Sequence, residues 1–127
     1  MPVGHATRKR EGEQKPTRYY STKQETHVAK TLGANVTKNS GATMFDKGDI
    51  TLGDGAGSFL IECKTKTSNS NSISIQKEWI RKNREEACFM GKENTAIVFS
   101  FGPDEENFYI IDEFLFKKLV ELLESEA

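Results

Sequence analysis

The sequence is poor in features that mark several common classes of protein. It has only two cysteines, Cys63 and Cys88, in apolar surroundings, and neither has a neighbour at the C-x-x-C spacing of a zinc site. We therefore expect two buried, reduced thiols. No apolar run approaches the ~20 residues of a membrane span, and the polar, basic N-terminus has no hydrophobic signal segment. These absences predict a cytoplasmic protein with no membrane partner.

Charge is nearly balanced overall but is unevenly distributed along the chain. The formal net charge is −1 over 127 residues, a length that fits one domain. Residues 1–48 hold nine Lys and Arg against four Asp and Glu, whereas residues 93–127 hold two against nine. A basic front half can provide a basic binding face even when the net charge is close to zero.

The N-terminal segment differs in composition from the rest. Residues 1–18 lack apolar periodicity, contain two prolines and are rich in Lys and Arg, which predicts a flexible basic arm. Residues 19–127 are then a single folded domain.

Alternating helical and strand patterns predict an α/β domain. A helix is expected from Ser21 to Gly33, with a capping box at its start and Val28, Ala29 and Leu32 as its apolar stripe. Short strands follow, then a helix capped by Ser74 and ended by Gly91, two strands, and a last helix capped by Asp112. The core face of this last helix is expected to contain Phe114, Leu115, Leu119, Leu122 and Leu123. The order α-β-β-β-α-β-β-α indicates a central mixed β-sheet flanked by helices.

The segment KGDITLGDGAGSFLIECKTK reads as a hairpin with charged residues on its strands. Alternation places Glu62 and Lys64 on one face, about 7 Å apart at ~3.3 Å per residue. If Asp49 pairs near Glu62, two carboxylates and one ammonium converge, and the carboxylates repel each other unless a cation lies between them. Mg²⁺ accepts such oxygen ligands and keeps waters and phosphate as its others. This set is typical of a phosphodiester hydrolase, although a solvated Glu-Lys pair on a strand is the plainer alternative.

With this order of residues the chain resembles the PD-(D/E)XK nuclease superfamily, whose core is an αβββαβ unit. Within it, the chain is most similar to the Holliday-junction resolvases of archaea and bacteriophages. The stretches GDI, FLIECKTK and QKEWIRKNREEACFMGK and the loop KNSGA carry the resemblance, which spans roughly residues 20–112. An additional strand and a C-terminal helix would follow the core. A bacteriophage source, and hence a host-cell cytoplasm, is implied only by this resemblance.

The resemblance implies a role for each candidate site residue. Asp49 and Glu62 would bind Mg²⁺, with Mn²⁺ as a substitute, and Lys64 would assist the attacking water. Glu25, which interrupts the apolar stripe of the first helix, would be a further metal-binding acid, and Ser40 would contribute from the loop after the first strand. Residues expected to contact DNA are Arg8, Lys9, Arg10, Lys15, Arg18, Lys66 and Gln76.

The function expected from these residues is metal-dependent cleavage of branched DNA. Resolving a four-way junction requires paired cuts, which calls for a two-fold homodimer. Phe114, Phe116, Leu119 and Val120 offer more apolar surface than one helix face needs, so the last helix is expected to contribute to the interface. The alternatives are a restriction-type or general DNA endonuclease of the same fold, and a non-catalytic DNA-binding or assembly domain.

Overall fold

A computed structural model describes residues 16–36 and 49–126 of the chain, and for residues 35, 36 and 49 it describes the backbone. Its elements are α1 (Thr17–Leu32), β1 (Asn35–Val36), β2 (Asp49–Leu52), β3 (Phe59–Lys64), α2 (Lys77–Met90), β4 (Asn94–Phe99), β5 (Phe108–Ile110) and α3 (Glu113–Glu126). A short 3₁₀ turn, Gly55–Gly57, connects β2 to β3. The predicted α/β class and element order are confirmed.

The five strands form one mixed sheet in the order β1-β2-β3-β4-β5. Pairing is antiparallel except between β3 and β4, which run parallel. A parallel pair requires a crossover connection, and α2 provides it. Strand β3 therefore lies at the centre of the sheet, with a strand on each side and α2 packed against it.

Helices α1 and α2 cover opposite faces of this sheet. Val28 of α1 is fully buried against a cluster on one face that contains Ile50, Ile61, Cys63 and Val98. Burial of each such aliphatic side chain stabilises the fold by roughly 1.5–3 kcal/mol. On the other face, the buried Asn83 of α2 donates a hydrogen bond to the carbonyl of Ala96 in β4. The alternation predicted for β3 is thus confirmed, because Ile61 and Cys63 contact the α1 side.

Helices α1 and α2 begin at residues other than those predicted. Helix α1 starts four residues before Ser21, after Pro16 at the N-cap, and has no side-chain capping bond. The fixed φ of proline suits a helix start, and the Ser21 hydroxyl instead donates to the carbonyl of Arg18. Helix α2 starts after Gln76 rather than Ser74. Both predicted C-terminal glycines are confirmed, since Gly33 and Gly91 have φ values of 67° and 73°.

Three predictions of burial are wrong. Leu32 and Cys88 are exposed rather than buried. On α3, the predicted core face is also exposed: within the described part of the chain only Leu115 is half-buried, and no residue of α3 is buried. Asp112 does cap this helix, because its Oδ1 accepts a hydrogen bond from the backbone N–H of Leu115 at 2.9 Å. The hydrophobic pattern therefore identified the apolar face of α3 correctly, but the prediction that this face is buried in the core was wrong.

Candidate functional site

Glu62 and Lys64 form an ion pair on the α2 face of the central strand. Lys64 Nζ lies 3.0 Å from Glu62 Oε2, and the two side chains are 28% and 23% exposed respectively. Residues two apart on a strand share a face, which explains why the pair forms without any bend of the backbone. Both charged groups are therefore partly shielded by the protein and still reachable from solvent.

The strand register brings Asp49 to the same position along the sheet. In the antiparallel pair of β2 and β3, Asp49 is directly opposite Glu62, and Ile50 is opposite Ile61. The predicted pairing of Asp49 with Glu62 is confirmed at the level of the backbone. Opposed residues of an antiparallel ladder are the closest neighbours that two strands provide. The hairpin thus places the two predicted carboxylate positions side by side.

Trp79 adds a contact that the sequence did not predict. Lys64 Nζ lies 4.4 Å from the centroid of the indole ring, a distance at which a cation is attracted to the face of an aromatic ring. Trp79 is the only tryptophan of the chain and lies in the first turn of α2. The ammonium of Lys64 is therefore held between a carboxylate and an indole.

Helix α1 is attached to the end of β3 through Gln24. The amide Nε2 of Gln24 donates to the carbonyl of Lys64 at 3.2 Å, and its Oε1 accepts from the Thr65 hydroxyl at 2.8 Å. Glu25, the predicted further acid, is the next residue along the helix and is half-buried. The two bonds thus fix the segment of α1 that carries Glu25 at the end of β3, on the face of the sheet opposite to the side chains of Glu62 and Lys64.

A cleft of about 300 Å³ lies beside this junction, between α1, the end of β3 and the loop from β4 to β5. Lys66, one of the predicted DNA contacts, lines this cleft and is half-buried, as is Tyr20, whereas His27 in the same wall is exposed. At its rim, Lys23 donates to Asp104 at 2.7 Å. This hydrogen bond raises the pKa of Lys23. The cleft combines aromatic, cationic and acidic groups within reach of solvent.

Two further predicted residues, Gln76 and Arg18, are exposed at the starts of α2 and α1. Gln76 is exposed at the N-cap of α2 and makes no side-chain capping bond. Arg18, assigned to the arm from sequence, is exposed in the first turn of α1. Five predicted residues lie outside the described part of the chain: Arg8, Lys9, Arg10, Lys15 and Ser40.

The donor chemistry at the hairpin fits a hard divalent cation. Glu62 supplies a carboxylate that is accessible to water, and its register partner is an aspartate. Mg²⁺ is commonly bound by one or two carboxylates and completes its shell with waters. Among the side chains that the structure describes, which exclude that of Asp49, no three His, Cys, Asp or Glu residues form a group able to hold a metal ion. A Mg²⁺ site here therefore depends on Asp49.

Comparison with known proteins finds no family, no curated protein and no solved structure that matches the chain. None of the helices described, which together cover parts of residues 17–126, is long and apolar enough to cross a membrane.

Proposed function

We propose that this chain is a Mg²⁺-dependent DNA endonuclease that hydrolyses phosphodiester bonds, with four-way junctions as its preferred substrate. The observation that supports this most directly is the register of Asp49 opposite Glu62, with Lys64 Nζ 3.0 Å from the Glu62 carboxylate. An ordinary surface ion pair needs neither a second acid at that register nor an indole over the lysine. The resemblance to junction resolvases supports the choice of substrate.

The proposed chemistry assigns distinct tasks to three residues. Asp49 and Glu62 would hold Mg²⁺. Glu25 has no task in this scheme, because α1 covers the face of the sheet opposite to the one that carries Glu62 and Lys64. The bound cation would supply Lewis-acid polarisation of the scissile phosphate and a lowered pKa for an attacking water. Lys64 would orient that water and stabilise the negative charge that develops on the phosphate oxygens. Cleavage would leave 5′-phosphate and 3′-hydroxyl ends.

Trp79 and Gln24 would keep Lys64 in place during this reaction. In the structure, Trp79 contacts the lysine at its ammonium and Gln24 binds its backbone carbonyl. Lys64 could therefore exchange its bond with Glu62 for one with water or phosphate without losing its position. Fixed donors of this kind stabilise a transition state because they need little reorganisation when charge develops.

Lys66 would contact the DNA backbone next to the scissile phosphate. It follows Lys64 by two residues and lines the cleft between α1 and the β4–β5 loop. A half-buried ammonium at this position can neutralise one phosphate without reading sequence.

The test is cleavage of an end-labelled four-way junction in the presence of Mg²⁺. Asp49→Asn and Glu62→Gln should each lower the cleavage rate by at least ~100-fold, since each removes charge from the proposed metal site. Glu85→Gln is the matched control, because Glu85 is an exposed carboxylate of α2 that pairs with Arg81. Undiminished cutting by both Asp49→Asn and Glu62→Gln would disprove the proposed site.

The same assay distinguishes the alternative functions. Equal cutting of a plain duplex would identify a general or restriction-type endonuclease. Junction binding without cutting by the unaltered chain, together with no effect of Mn²⁺ on its melting temperature, would identify a non-catalytic DNA-binding domain.

A further inference from the structure

The cleft between α1 and the β4–β5 loop opens at the carboxyl ends of β3 and β4, the parallel pair of the sheet. Lys64 ends β3 in register with Phe99, which ends β4. The cleft is lined by residues that follow the two strands, namely Thr65 and Lys66 after β3 and Ser100 after β4. In open α/β sheets, ligands bind in the crevice outside the carboxyl ends of the strands. The position of the cleft is therefore that of a ligand site.

Hydrogen bonds within the protein already fix the walls of this cleft. Gln24 ties the α1 wall to the end of β3 through its two bonds. On the opposite wall, the buried Ser100 hydroxyl donates to the carbonyl of Gly102 at 2.8 Å. The N–H of Ser70, in the loop after β3, donates to the carbonyl of Phe101 at 2.8 Å. Because the walls are formed in advance, a ligand would not have to order them.

The charges of the cleft do not suit a continuous DNA backbone. Lys66 is half-buried in one wall, but Asp104 and Glu105 are exposed in another, and Asp104 already pairs with Lys23 at 2.7 Å. Duplex DNA carries one negative charge for about every 1.7 Å of its axis, so carboxylates in the wall would repel it. A single phosphate bound to Lys66 and followed by an uncharged base avoids most of this repulsion.

The other groups of the cleft match the chemistry of a nucleobase. The half-buried Tyr20 offers an aromatic ring, on which any base can stack. Carboxylates such as those of Asp104 and Glu105 accept hydrogen bonds from exocyclic amino groups, and the amide of Asn107 can both donate and accept. A volume of about 300 Å³ is at the lower end of the range for ligand sites, which favours one nucleotide over a base pair.

We propose that this cleft binds one unpaired nucleotide of DNA, with the base against Tyr20 and the phosphate on Lys66. Bases at a branch point unpair at lower cost than bases inside a duplex, so such a site would favour branched over fully paired DNA. This selectivity rests on the proposed function, whereas binding of a nucleotide in the cleft does not.

Titration of the full chain with deoxycytidine 5′-monophosphate, without divalent cations and followed by NMR, tests the site directly. Backbone amides around the cleft should shift, Tyr20→Ala should raise the dissociation constant at least ~5-fold and Tyr20→Phe should change it less than about twofold, because it keeps the ring. Tyr109→Ala is the matched control, since Tyr109 is an exposed tyrosine of β5 that does not line the cleft. Lys66→Gln should weaken binding of the nucleotide and leave binding of deoxycytidine unchanged.

Two results of this titration would overturn the proposal. One is an unchanged dissociation constant in Tyr20→Ala, verified as folded by circular dichroism. The other is inorganic phosphate binding as tightly as the nucleotide, which would mean that the base makes no contact.

Fluorescence anisotropy with labelled DNA tests the selectivity. A duplex with one unpaired base should bind at least ~5-fold more tightly than the same duplex fully paired, and Tyr20→Ala should abolish this difference. Equal affinity of the unaltered chain for the two duplexes would contradict the proposed selectivity. Nucleotide binding without junction cleavage would contradict the proposed function alone, whereas cleavage without nucleotide binding would overturn this proposal alone.

Discussion

At Lys64 the ammonium group has two partners of different kinds, and only one of them is a charge. Glu62 attracts it directly, while Trp79 offers the face of an indole at 4.4 Å. If Glu62 were its only partner, the Lys64 ammonium would change position whenever the Glu62 carboxylate moved. The indole holds the lysine even when Glu62 is engaged elsewhere, so Trp79 is a positioning residue of the proposed site.

Trp79→Phe and Trp79→Leu should separate the aromatic effect from packing. Both replacements are apolar, but only phenylalanine keeps a π face. A cation–π contact is worth ~0.5–2 kcal/mol, so Trp79→Leu should slow junction cleavage about tenfold while Trp79→Phe stays within about threefold. The measurement is the single-turnover cleavage rate, with urea unfolding to verify that both variants fold. Equal rates for the two variants would contradict a positioning role for the ring.

Asn83 lies almost fully buried beneath α2 with its polar group only partly satisfied. Its Nδ2 donates to the Ala96 carbonyl at 3.1 Å, and within the described residues its Oδ1 has no hydrogen-bond partner. The one bond that it makes ties the middle of α2 to β4. Because a buried amide costs free energy unless it is bonded, this contact fixes where α2 sits on the sheet.

Asn83→Asp should destabilise the fold because it replaces the donor with a carboxylate facing a carbonyl. We expect a loss of about 2–4 kcal/mol in the free energy of unfolding at neutral pH. Burial should raise the pKa of the new carboxyl above its unfolded value, so the loss is present at high pH and shrinks as pH falls through the raised pKa. Denaturant unfolding of the variant and the unaltered chain across pH measures this difference. A loss that is the same at every pH would contradict it.

At the scale of secondary structure, the attachment of α1 to β3 is a side-chain bond rather than a backbone one. Gln24 bridges the carbonyl of Lys64 and the hydroxyl of Thr65, which lie 40 and 41 residues away along the chain. The apolar part of the contact is centred on Val28, and apolar packing is not directional. The amide of Gln24 therefore sets the position of α1 along the strand.

A double-mutant cycle on Gln24 and Thr65 should reveal this coupling. Gln24→Ala removes both bonds and should cost about 1–2 kcal/mol in the free energy of unfolding, and Thr65→Val should cost about 0.5–1.5 kcal/mol. The double variant should lose less than the sum, with an interaction energy of at least about 0.5 kcal/mol. Urea unfolding of the four proteins gives all the values. Strict additivity would show that the bond between the two side chains contributes nothing.

The order and class of the elements could be predicted because periodicity is local. Alternation in Phe59–Lys64 and the glycines that end α1 and α2 are visible within a few residues. Pairing of Asp49 with Glu62 was also accessible, because a short turn limits the registers that a hairpin can adopt. Gln24 and Trp79 were not accessible in this way, since their partners lie far along the chain. Whether the apolar residues of α3 are exposed depends on what surrounds the helix, which a hydrophobic pattern does not encode.

Across the whole molecule, acidic side chains are concentrated in the C-terminal part of the chain. Residues 93–127 carry two basic and nine acidic side chains, and α3 belongs to this part. A polyanion would be repelled by α3, whereas the cleft that contains Lys66 combines this lysine and Lys23 with Asp104 and Glu105 of the acidic segment.

The salt dependence of junction binding should show which lysines contact the DNA backbone. The logarithm of the binding constant falls linearly with the logarithm of salt concentration, with a slope of about −0.9 for each phosphate neutralised. Lys66→Gln should reduce the magnitude of the slope by about one, whereas Lys118→Gln on α3 should leave it unchanged. Fluorescence anisotropy of a labelled junction in the absence of divalent cations measures both slopes. An unchanged slope for Lys66→Gln would remove this residue from the DNA contact.

The two cysteines of the folded protein should react with a thiol reagent at very different rates. Cys88 is exposed, whereas Cys63 is buried on the central strand, on the face opposite to its neighbours Glu62 and Lys64. A thiol reagent should modify Cys88 at once and reach Cys63 only when the sheet opens. The rate of the second, slow modification therefore reports the opening free energy of the strand that carries the candidate site. Ligands that bind the folded site should slow that modification in proportion to their occupancy.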